Sequence, residues 1–195
     1  MSVLGKKWVI KDSDKELSIF DQILKNRGID SLDQELEFHV PFLFEDMEKS
    51  LSRIKEAVEN KERIIIFGDY DVDGITSTAI VYHALKKLDA VVSYRLPHRE
   101  KDGYGISEKF IDEFIEKEIK LIITVDCGIS CAAEIKKAKD HGIDTIITDH
   151  HRIPDENFPS DAYAIIHPKI SNSNYPYKEL TGAGVALKLA QALTD

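Results

Sequence analysis

Arg63-Ile64-Ile65-Ile66-Phe67-Gly68-Asp69-Tyr70-Asp71-Val72-Asp73-Gly74 decides the fold. Its first half carries a continuous apolar run, too short for a helix and rich in β-branched residues. Such a run reads as a strand buried on both faces, as strands of parallel sheets are. Its second half leaves Gly68 with aspartates at three alternate positions. Alternate residues of an extended chain share a face, so Asp69, Asp71 and Asp73 are expected to point the same way. Three like charges on one face repel unless a cation sits among them. A single Asp-x-Asp is most often a solvated acidic turn. A run of three that starts directly from a buried strand is poorly described that way.

Similar apolar runs recur outward from this stretch, at Val91-Val92-Ser93-Tyr94, Leu121-Ile122-Ile123-Thr124-Val125, Thr145-Ile146-Ile147-Thr148 and residues 162–166. Helical segments are expected between them, over 76–88, 107–118 and 130–141, the last closed by Gly142. Strands alternating with helices imply an α/β fold, a mostly parallel sheet of about five strands flanked by helices. Upstream, Leu17, Phe20, Ile23 and Leu24 fit one helical face with a stop at Arg27-Gly28. Met47, Leu51, Ile54 and Val58 mark an amphipathic helix ending near Asn60. The expected organisation is an amino-terminal helical extension over 1–60 and the α/β core over 61–195.

The strand ends carry the chemistry. The third strand runs into Asp126-Cys127-Gly128 and the fourth into Asp149-His150-His151. An Asp at a strand end is often only a cap for the next helix. Adjacent histidines in a strand point to opposite faces, but Arg152-Ile153-Pro154 signals a turn that lets both face one site. In a parallel sheet these ends share the carboxyl edge, where open α/β folds bind ligands. Asp69, Asp71, Asp73, Asp126, His150 and His151 are therefore expected to converge. Carboxylates with one or two imidazoles suit Mn2+ or Mg2+. Shared carboxylates allow two ions about 3.5–4 Å apart, the arrangement that activates water for in-line attack at phosphorus. Nothing near Cys127 in sequence activates its thiol.

Composition sets the outer bounds. The 195 residues, 43% hydrophobic and 31% charged, suit one packed domain or one domain with a small appendage. No repeat, low-complexity tract or membrane-length apolar run is present. Residues 1–14 lack a signal-peptide core. Two cysteines make no disulfide framework, so a reducing, cytoplasmic setting is expected. The net charge of −9 argues against coating nucleic acid by bulk charge. It leaves room for an enzyme that meets phosphates through metal ions.

The run from Gly68 to Ser77, then Val125-Asp126-Cys127-Gly128, then Thr148-Asp149-His150-His151, resembles the first three motifs of the DHH phosphoesterase superfamily. Within it the chain resembles the RecJ-type single-strand-specific DNA exonucleases. Support comes from the helix around residues 42–54, Pro97-His98-Arg99 with Gly103-Tyr104-Gly105, and Leu180-Thr181-Gly182-Ala183-Gly184-Val185-Ala186. Ile166-His167-Pro168 stands where the family usually has Asn-Pro. The resemblance implies metal-dependent, 5′-to-3′ hydrolysis of single-stranded DNA in recombination and repair, alongside unidentified replication or repair proteins, with no membrane partner. It implies Asp71, Asp73, Asp126 and His150 as manganese ligands, with Asp69 ranked slightly lower. His151 is expected against the scissile phosphate, Asp149 behind a histidine, and His98 and Arg99 at a phosphate. Tyr70, Tyr94 and Tyr104 are candidates for stacking on bases, though each is more often packing.

Two departures stand out. Many members carry a His two residues before the position of Asp69, where this chain has Phe67. The family's fourth motif, with a further ligand Asp, and its second lobe are expected beyond residue 195, so the chain reads as an amino-terminal fragment, weak or inactive alone. Two other uses of the site compete. One is hydrolysis of short oligoribonucleotides, cyclic dinucleotides or pyrophosphate, and the other is a non-catalytic replication scaffold.

Overall fold

The computed structural model describes residues 16–29, 38–103, 105–171 and 173–194. Residues 1–14, Tyr104 and Asp195 lie outside them. The chain divides into two units, 1–38 and 39–195. The first holds α1 (Ile19–Arg27), capped by the Ser18 hydroxyl, which accepts the Asp21 N–H, and closed by Gly28 at φ 68°.

The second unit is a parallel sheet between two helical layers. Its strands are β1 (Arg63–Gly68), β2 (Val91–Arg95), β3 (Leu121–Val125), β4 (Asp144–Thr148) and β5 (Ala164–Ile166), in the order β2-β1-β3-β4-β5. Every pairing is parallel, with Ile64 beside Leu121 and Val125 beside Thr148. The helices are α2 (Met47–Glu59), α3 (Val72–Lys87), α4 (Glu108–Glu116), α5 (Ala132–Asp140) and α6 (Gly182–Thr194). Strand alternation divides the core. Ile64, Ile66, Leu121, Ile123, Val125 and Ile146 pack with residues of α2, α3 and α6. Ile65, Phe67, Ile122 and Ile147 pack with α4 and α5. The central strands are covered on both sides, which is why they read as unbroken apolar runs.

Three boundaries differ from expectation. The helix after β1 starts at Val72 rather than 76, because the Asp71 carboxylate caps it by accepting the Gly74 N–H at 2.9 Å. Asp73 thus sits in a first helical turn, and extended alternation does not orient it. The fifth strand is only Ala164–Ile166 rather than 162–166. The helix around Met47 belongs to the α/β unit instead of an extension over 1–60. Met47, Leu51, Ile54 and Ala57 are buried in its core. The half-buried carboxylate of Asp46 accepts the Ile165 N–H at 2.8 Å. Arg53 joins Asp144 at 2.6 Å and Glu62 at 2.7 Å.

Candidate metal centre

Strand order reverses between β1 and β3, and such a switch point opens a crevice at the carboxyl edge. Asp69 leaves β1 there and Asp126 leaves β3, 4% and 1% exposed. Asp69 Oδ1 accepts the Tyr70 N–H at 2.7 Å. Asp126 takes φ 60°, a left-handed conformation that costs a non-glycine residue energy, while its N–H donates to the Thr148 carbonyl at 2.9 Å. One donor atom each from Asp69, Asp71 and Asp126 lies within 4.8 Å of the others, and so does one each from Asp126, His150 and His151. Asp126 is common to both sets.

Burial, then the charge of Asp73, pushes the Asp126 carboxyl up to about 8. Burial also raises Asp69, with the Tyr70 N–H opposing. Asp126 Oδ1 is buried 3.2 Å from His150 Nε2, yet among the described residues it has no hydrogen-bond partner. A buried carboxylate oxygen without a donor is costly unless a cation completes it. That orphaned oxygen and the mixed oxygen–imidazole donor set fit a hard divalent cation.

Asp149, fully buried, supports the histidines from behind. Its Oδ1 accepts the N–H groups of His150 at 2.7 Å and His151 at 3.1 Å, and meets His151 Nδ1 at 2.7 Å. Its Oδ2 accepts the Ile129 N–H at 3.0 Å. Burial alone would raise its pKa, but the His151 ring and these N–H groups hold it below the usual carboxylate range. The same bond raises His151 against the opposing effect of burial. The two histidine rings lie 4.6 Å apart.

Asp73 is the expected ligand with the most altered surroundings. Its oxygens accept the N–H groups of Gly182 and Ala183, each at 2.7 Å, and lie 3.7 Å from His150 Nε2. It therefore spans the site and the first turn of α6. Gly182 itself faces Asp126, and any Cβ there would collide with that carboxylate. In the sequence the stretch Gly182-Ala183-Gly184 carries only the family resemblance. The absence of a side chain at Gly182 is its one local signal.

His98 and Arg99 fall outside both donor sets, in the loop after β2. The His98 N–H donates to Asp102 at 2.8 Å, fixing that loop. The Arg99 guanidinium lies 5.6 Å from the ring centroid of Tyr70, which follows Asp69. Tyr94 is exposed and meets Tyr82 edge-on at 5.6 Å. Phe67, two residues before Asp69, is buried against Phe110 and contributes to the core. Cys127 is fully buried, and burial keeps its thiol well above the ordinary range, so it supplies no thiolate.

A parallel sheet with carboxylates and histidines gathered at its switch point defines an α/β protein with a donor cluster of the kind that could hold a cation. The chain belongs to the DHH family. The family model described as "DHH family, N-terminal domain" matches residues 63–195. Over 206 aligned residues it is 42% identical to the single-stranded-DNA-specific exonuclease RecJ of Bacillus subtilis, covering 96% of this chain and 26% of that protein. It is 39% identical to the exonuclease of that name from Escherichia coli, covering 88% and 30%. A crystal structure of exonuclease RecJ bound to manganese superposes with a TM-score of 0.69 at 35% identity, covering 77% of this chain and 37% of that one. RecJ from Thermus thermophilus in complex with Mn2+ gives 0.68 at 31%, covering 87% and 24%. The chain spans about a quarter to a third of the length of these curated relatives.

Proposed function

We propose that this chain is the metal-binding part of a phosphodiesterase that degrades single-stranded DNA from its 5′ end, in recombination and repair. The observation that carries the reading is Asp126, whose buried, donor-less oxygen is common to two candidate ligand sets. The manganese-bound relatives support the same cation chemistry.

In this reading Asp69, Asp71 and Asp126 would hold one divalent cation and Asp126 with His150 a second, with Asp73 bracing His150 and α6 and His151 left to face the phosphate. Two bound Mn2+ or Mg2+ ions supply an acidified water and charge neutralisation at phosphorus. His151 is tied through Nδ1 to Asp149, so a proton exchanged at this ring passes through Nε2. The raised His151 pKa favours an imidazolium that offsets charge developing on the phosphate. Arg99, braced on Tyr70, and His98 grip a phosphate of the strand, an Arg fork being suited to bidentate contact. The exposed Tyr94 offers a base a stacking face. No described helix is long and apolar enough to cross a membrane; a cytoplasmic location belongs to the same proposal, on the ground of its DNA substrate.

The test uses the longer protein and a 5′-labelled single strand, with a cyclic dinucleotide and pyrophosphate as competing substrates. The expected result is Mn2+-dependent release of nucleotides from the strand, lost in Asp126→Ala and in Asp71→Ala. Faster turnover of the small phosphates would reassign the substrate, and near-normal hydrolysis in either variant would reject the site.

A further inference from the structure

His167 follows β5 and is fully buried, although it lies next to no site carboxylate in sequence. Both ring nitrogens are engaged. The Lys169 N–H donates to Nδ1 at 3.0 Å, and Nε2 lies 2.9 Å from the His151 carbonyl oxygen. A backbone N–H only donates and a carbonyl only accepts, so Nδ1 is bare and Nε2 carries the proton. The chain around His151 is thereby held on both sides. Asp149 takes the His151 N–H and the ring, and His167 takes the His151 carbonyl.

We propose that His167 is a positioning residue: through its Nε2–H tautomer it fixes the His151 peptide and so the direction of the His151 ring. The inference rests on the reading of His151 as part of the hydrolytic site. The two bonds have different reach. An Asn at this position would offer an acceptor where Nδ1 stands and serve the Lys169 turn. It ends short of the His151 carbonyl. A Gln places an amide donor near the Nε2 position and serves the carbonyl instead. His makes both bonds, so this chain locks the second histidine more firmly than an Asn would.

The contrast between the substitutions separates positioning from turn stability. In this chain, the imidazole nitrogen resonances of His151 and His167 are read in the unaltered protein, and those of His151 again in His167→Gln, His167→Asn and His167→Ala. The expected result is His167 protonated at Nε2 and bare at Nδ1, with the His151 resonances kept by Gln and displaced by Asn and Ala. In the longer protein, kcat falls about tenfold in Asn and Ala, the equivalent of one hydrogen bond, recovers in Gln, and KM stays put. A proton on Nδ1, or Asn matching the unaltered protein in resonances and kcat while Gln does not, overturns the proposal. If the resonances behave as expected while the unaltered longer protein does not hydrolyse, the positioning role stands and the phosphodiesterase reading fails.

Discussion

At Asp126 three unfavourable conditions meet in one residue: a positive φ, a buried carboxylate, and an oxygen with no donor. Each costs folding free energy when no cation is bound. Its folded pKa of about 8 lies above the ordinary unfolded value near 3.9. Between those limits the folded state keeps a proton that the unfolded state gives up, so stability without metal falls as pH rises from about 4 to 8. For one proton the steepest slope is about 1.4 kcal/mol per pH unit. Thermal melts in chelator are expected to show this decline, and Asp126→Asn to flatten it and melt higher at pH 8. Gly182 makes the complementary case. Gly182→Ala puts a methyl group against the Asp126 carboxylate, an overpacking of about 1–3 kcal/mol. Mn2+ affinity measured by calorimetry should drop tenfold or more while far-ultraviolet circular dichroism is unchanged. Neither feature is legible in the sequence. A left-handed Asp leaves no local pattern, and Gly182 lies 56 residues along the chain from Asp126.

Among the elements, the sheet was plain in the sequence because strands covered on both faces need unbroken apolar runs, and β1, β3 and β4 have them. The junctions were harder. Asp71 caps α3, which pulls Asp73 into the first helical turn and toward α6. Alternation put the three aspartates on one face. The structure sets Asp69 and Asp71 with Asp126, and gives Asp73 to two backbone donors. The periodicity of Met47, Leu51, Ile54 and Val58 revealed α2 but could not say what it packs against, since that choice depends on distant residues. Ile54, on α2, is fully buried in the core between that helix and the sheet. Ile54→Ala should cost about 2–5 kcal/mol and lower the urea midpoint accordingly. Asp46 satisfies the Ile165 N–H from the start of the same helix. Asp46→Ala leaves that donor without its partner, an expected loss of about 1–3 kcal/mol by the same measurement.

For the whole molecule, the order β2-β1-β3-β4-β5 brings residues as distant as Asp69 and His151 to one crevice, and two histidines and several carboxylates become a single electrostatic unit. In the proposed reading, neutralising that unit is what lets an acidic chain meet an anionic strand, so strand binding depends on cation binding. The most direct test is calorimetric Mn2+ titration of this chain and of its Asp126→Ala variant, with circular dichroism to show that both are folded. Saturable binding by the unaltered chain that disappears in the variant is the predicted result. No binding by the unaltered chain, or equal binding by both, would contradict a centre built around Asp126.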